Sequence, residues 1–164
     1  MNSYVMYDNI VPLLSPQDTA ATALATPYVA MAQAHELAFF IHFGSITSTS
    51  ADQYCTVTVE ATTSAASAST EVTIPFTYRK SGAVGANTWG AATTATTAGV
   101  TMLTASEDDM MLYIHIDPGA VLAEQADATH VRAVITPLEG VVSLMSAFAV
   151  LDSRYKQTTH VSAT

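Results

Sequence analysis

Beyond residue 35 the chain reads as short apolar runs, several with a period of two. That is the repeat of a strand with one buried face. Residues 37–43 (LAFFIHF) are apolar almost throughout, as in a central strand. Residues 54–60 (YCTVTVE) alternate, with Cys55, Val57 and Val59 on one side and Thr56, Thr58 and Glu60 on the other. Residues 71–79 alternate again and place Val72, Ile74, Phe76 and Tyr78 on one face. Pro75 falls on the opposite face and has no N–H for a ladder, which predicts an edge strand or a bulge. Residues 110–117 (MMLYIHID) are apolar on both faces, and residues 130–136 and 143–151 complete the strand set. One short helical turn is predicted over residues 118–125, with Asp117 as its cap and Pro118 at its first position.

The segments between these runs are small and polar. Residues 61–70 (ATTSAASAST) form a loop without an anchoring side chain, and residues 92–99 (ATTATTAG) a low-complexity linker into residues 100–103. Residues 106–109 form an acidic turn, and residues 137–140 (PLEG) read as a hairpin loop. The expected fold class is all-β: a jelly-roll-like sandwich of about seven or eight strands with one short helix.

Residues 1–34 differ. Pro12, Pro16 and Pro27 recur among Ser and Thr, and proline biases its neighbours toward extended shapes. They predict an extended N-terminal arm whose apolar anchors include Tyr4, Tyr7, Leu13 and Leu14; the alternative is a first strand and loop of the same domain. A short helix over residues 24–37 is disfavoured by its Thr and Pro. The sandwich then spans 35–157 and a tail 158–164.

Composition narrows the function classes. The net charge is −9, charged residues are 12%, and the first basic residue is Arg79. Nucleic-acid binding needs a basic footprint, and the sequence has none. The acidic balance argues equally against an anionic membrane, and no run reaches the length of a membrane span. The start has no basic region of the kind that opens a secretory signal. Cys55 is the only cysteine, so no internal disulfide forms, in keeping with a reducing compartment.

The stretch IPFTYRKSGAVGANTWG (74–90) looks most like a site. Yet Lys80 precedes the glycines, whereas a phosphate loop places its Lys after them and opens a helix. The five histidines are dispersed and lack metal-ligand spacing. His115 and His130 are the pair that a cupin-like site would use; a strand histidine with an ordinary partner is the plainer reading. No nucleophile elbow is present, and Cys55 sits on an apolar strand face where thiols are usually inert. Trp89 is either a core residue closing one end of the sandwich or an exposed stacking residue. In the second case Tyr78 and Tyr113 join it as a platform for sugars or protein partners.

Six segments carry a resemblance: VTVEATT (57–63), IPFTYR (74–79), NTWG (87–90), YIHID (113–117), HVRAVITP (130–137) and FAVLDSRY (148–155). Together they resemble a family of small, Ala/Thr-rich virion proteins of tailed bacteriophages. The resemblance implies a β-sandwich structural protein of the capsid, such as a decoration (cement) or minor head protein. It implies no catalytic residue and no cofactor. The implied partners are the major capsid protein and further copies of the chain, as a dimer or trimer, on the capsid surface of a virion made in the host cytoplasm. Interaction residues on this reading are Tyr4, Tyr7, Leu13, Leu14, Arg79, Lys80 and Trp89.

Overall fold

The computed structural model describes residues 10–19, 22–32, 34–47, 54–66, 70–103 and 106–153. Two antiparallel sheets face each other. The front sheet runs in the order β1 (Ile10–Asp18), β12 (Val142–Ser153), β4 (Ala34–Thr47), β10 (Met111–Ile116), β7 (Phe76–Lys80), β8 (Thr93–Ala95). The back sheet has β11 (His130–Pro137) and β5 (Tyr54–Thr62) at its centre. Both of its edges are broken into pieces. β2 (Leu24–Ala25) and β3 (Val29–Ala30) pair along β11, while β6 (Val72–Ile74) and β9 (Val100–Leu103) pair along β5.

The pairings nest. β1 pairs with β12, β2 and β3 with β11, β4 with β10, and β5 with β6, as in one long hairpin. Rolling that hairpin lays β12 on β4 and β11 on β5. This is the strand order of a jelly roll. The hairpin of β7 and β8 widens the front sheet beyond β10.

Alternation decides what lies between the sheets. Leu37, Phe39, Ile41 and Phe43 of β4 are fully buried, facing Val57 and Val59 of β5 and Val131, Ala133 and Ile135 of β11. Leu112 and Ile114 of β10 and Met145 of β12 complete this interior. Side chains fill it, as in the interiors of small β-folds. At about 1.5–3 kcal/mol for each large apolar side chain buried, this layer is the main stabilising term.

The N-terminal segment departs from the expected arm over its described part. β1 is a strand of the front sheet, and β2 and β3 belong to the back sheet. Two buried threonines fasten it. Thr19 donates its N–H to the Ser143 carbonyl (3.0 Å) and accepts the Ser143 N–H at Oγ1 (3.1 Å). Thr26 does the same with Ala133, at 2.9 and 3.0 Å. Hydroxyl-bearing residues that look like loop in the sequence satisfy backbone groups inside the fold.

Three further connections differ from their sequence reading. Residues 71–79 are not one outer strand: β6 belongs to the back sheet and β7 to the front, with Pro75 at the corner. A residue without an N–H fits where the chain leaves one ladder for another. Residues 137–140 are not a hairpin loop, because β11 and β12 lie in different sheets and the turn bridges them. The linker at 92–99 contains β8, and Gly99 (φ 82°) turns it into β9 against the Val57 carbonyl. A Cβ there would lie 2.3 Å from that oxygen. The helix forms as expected: α1 (Pro118–Glu124) opens with Asp117 accepting the Gly119 N–H at 2.8 Å. Among the described residues no helix is long and apolar enough to cross a membrane.

Candidate functional site

The outward face of the front sheet carries an aromatic row. Register sets it. Phe148 of β12 lies opposite Phe40 of β4, Phe40 opposite Tyr113 of β10, and Tyr113 opposite Arg79 of β7. These residues alternate with the buried ones on the same strands, so all point outward. Phe40 and Phe148 stack nearly parallel, with centroids 5.0 Å apart and planes at 6°. Phe40 and Tyr113 are tilted at 57° and 5.2 Å apart. Such pairs contribute about 0.5–1.5 kcal/mol beyond simple burial.

Trp89 extends the row from above. It meets Tyr113 edge to face, at 6.1 Å and 72°. The loop that holds it is an extension of β7 rather than a loose rim. Ser81 bridges Trp89 in antiparallel fashion, Gly90 N–H donates to the Lys80 carbonyl (2.8 Å), and Gly82 N–H donates to Thr88 (2.9 Å). Gly85, with φ 83°, takes the left-handed conformation at the tip, where other residues would be strained. Trp89 is 43% exposed, so it is a surface residue and not the plug of one sandwich end.

Phe40, Arg79, Trp89 and Tyr113 line a shallow hollow of about 280 Å³. On its other side Trp89 borders a second hollow of about 250 Å³ under the 81–90 hairpin, which reaches His42 and Asp109. The Tyr113 hydroxyl is held above its ordinary pKa by burial and by the Glu36 carboxylate, with Arg79 pulling the other way. It is therefore a neutral hydrogen-bonding group at physiological pH. Glu36 lies 3.6 Å from His115.

The basic pair at the end of β7 divides. Lys80 Nζ lies 2.5 Å from Glu107 Oε1 and donates to the Thr101 carbonyl at 2.7 Å. Both charged side chains are mostly covered, so Lys80 ties the acidic turn to the front sheet. The same turn is pinned by Asp108, which accepts the Ile46 N–H at 3.0 Å. Arg79, one residue earlier, is exposed, and its guanidinium has no partner among the described residues.

The remaining sequence candidates are scattered. Tyr4 and Tyr7 lie outside the described residues, as do Arg154 and Tyr155. Leu13 is buried in the core and Leu14 packs against it, so both anchor the chain to its own domain. Tyr78 points inward beside Phe76, at 6.3 Å, and so takes no part in a platform with Trp89 and Tyr113. His115 stands on the front sheet and His130 on the back sheet, on outward faces, so the structure does not bring them together. No group of three His, Cys, Asp or Glu among the described residues is placed to hold a metal ion. Cys55 is buried, and burial raises its thiol pKa to about 11.

Sequence reasoning missed Phe40 and Phe148. Their signal was present as aromatic residues out of phase with the buried set in LAFFIHF and SLMSAFAVL. Their meeting depends on β4 and β12 being neighbours across more than a hundred residues of chain, which periodicity does not encode. No protein-family model matches the sequence, and no curated protein matches it.

Proposed function

We propose that this chain is a structural virion protein: a capsid decoration (cement) protein that binds the outside of a phage head as a homo-oligomer and stabilises it. The observation that carries the reading is the rolled strand order, an architecture that viral capsid domains share with lectins and cupins. Fold alone does not choose among these, so the site must. A cupin places its metal inside the barrel, whereas this interior is packed with Phe39, Ile41 and Phe43. An outward aromatic row on a surface poor in charge suits association with a shell or with further copies. The six-segment resemblance points the same way. In this reading the chain has no catalytic role, and its partners are the major capsid protein and itself.

The test is an electron-microscopy map of the encoding phage with protein quantification of purified particles. The expected result is many copies on the outer capsid lattice. Absence from intact particles would reject the role. The hollow at Trp89 supports a second reading, a carbohydrate- or receptor-binding sandwich of a virion, because exposed aromatics beside an exposed guanidinium are also a ligand platform.

A further inference from the structure

We propose that the hollow formed by Phe40, Arg79, Trp89 and Tyr113 is a binding site for a saccharide unit bearing a carboxylate, such as a uronic or sialic acid residue. The inference rests on the carbohydrate-binding reading and is independent of where the protein sits in a particle.

Three observations carry it. First, the aromatic walls are pre-set. Trp89 and Tyr113 stand at 72° to one another, and the Trp89 backbone is held by the Ser81 bridge and the Gly90 hydrogen bond. A rigid wall loses little entropy on binding, which is what a weakly bound, polar ligand requires. Aromatic faces contact the apolar C–H side of a pyranose while its hydroxyls stay in water. Second, the hollow is sized for one ring, at about 280 Å³, and is shallow and open to solvent. An extended chain of sugars can therefore pass across it.

Third, the cation at its edge has no carboxylate partner among the described residues. The protein carries five basic residues against fourteen acidic ones. Lys80 and Arg132 are both tied to carboxylates. Arg79 is paired with no carboxylate among the described residues, although the chain is rich in acids. A guanidinium beside aromatic faces takes a carboxylate through two parallel N–H donors. The Tyr113 hydroxyl supplies a neutral donor beside it. Glu36 opposes an anion here through its field on Tyr113, but it is 65% exposed and sits by His115. Water screens it accordingly.

Trp89 is the only tryptophan, so its fluorescence reports the hollow directly. The full chain is titrated with 3′-sialyllactose and tri-galacturonic acid, and in parallel with lactose and maltotriose. The inference expects saturable fluorescence changes with at least one acidic saccharide and binding roughly tenfold weaker with its neutral counterpart. Saturation-transfer NMR should show Trp89→Ala weakening acidic-saccharide binding by roughly tenfold or more. Arg79→Met should remove the preference for acid while leaving weak neutral binding. Both positions are exposed, and unchanged thermal melts would confirm that the variants are folded. Equal binding of acidic and neutral saccharides would overturn the carboxylate assignment and leave the carbohydrate reading standing. No response to any of the four would overturn both. A fluorescence change that follows protein concentration alone, and is lost in Arg79→Met, would place a second copy on this face and overturn the inference as well.

Discussion

On the back sheet, the outward arginine is enclosed by its own domain. Arg132 Nε lies 2.8 Å from Glu60 Oε2, and its Nη2 lies 2.6 Å from Glu71 Oε1, the latter an ion pair without hydrogen-bond alignment. Its guanidinium lies 4.7 Å above the Tyr28 ring. On the front sheet, Arg79 projects beside Tyr113 and Trp89 with no such enclosure. The two faces are built from the same alternation and similar strands. One encloses its arginine between two carboxylates and a ring, and the other leaves its arginine beside open aromatic faces. Complementarity that ends within the chain marks a structural face; complementarity left open marks a face that meets something else.

Substitutions on the two sides of a single strand should show the largest contrast. Phe39→Ala opens a cavity between the sheets and should cost about 3–5 kcal/mol in denaturant unfolding. Phe40→Ala removes a partly buried ring on the outward face and should cost only about 1–2 kcal/mol. Equal losses would mean the aromatic row is as structural as the core.

The two arginines give the next contrast. Arg132→Ala leaves Glu60 and Glu71 facing each other under partial cover and should cost about 2–4 kcal/mol. Arg79→Ala should change stability by less than about 0.5 kcal/mol. A large loss at Arg79 would show a stabilising contact and break the comparison.

Lys80 separates the neighbouring basic residues. Lys80→Glu places like charges at Glu107 and should lower stability by about 1–2 kcal/mol, measured by thermal unfolding. Arg79→Glu should leave the melt unchanged and alter only association or ligand binding. Matching melts for both would show that the pair acts together.

The smallest effect concerns pH on the back face. Burial lowers the pKa of His130 below its ordinary 6.5. The unfolded chain therefore takes up the proton first. This contribution to stability is complete above about 6.5 and is lost as the pH falls from there through the folded value. His130→Gln should flatten that part of the stability–pH curve. A steeper curve in the variant would reverse the sign and sink the assignment.

Much of the fold is legible in the chain. The period-two run at 54–60 names the inward set of β5, the runs at 110–117 and 130–136 predict the strands β10 and β11, and the pair Asp117–Pro118 marks the helix α1. The apolar run at 37–43 predicts the central strand β4. What it does not reveal is that Phe40 and His42 face outward. The N-terminal segment was hidden by its Pro, Ser and Thr, because Thr19 and Thr26 act through hydroxyl bonds to distant backbone.

The sequence by itself determined which side chains on each strand share a face, since alternation is a local property of extended backbone. It also marked the breaks at Pro75 and Pro118 and the turn at Gly99, where dihedrals and missing donors are local facts, although β1 runs through Pro12 and Pro16 and β4 through Gly44. Tertiary structure alone decided which strands are neighbours: that β12 lies on β4, that Pro75 is a corner, and that Lys80 meets Glu107 while Arg79 faces Tyr113 and Trp89 with no carboxylate partner among the described residues. Those outcomes depend on rolling the nested hairpin, a long-range arrangement. It is selected by the summed burial of both inner faces and not by any one stretch of residues.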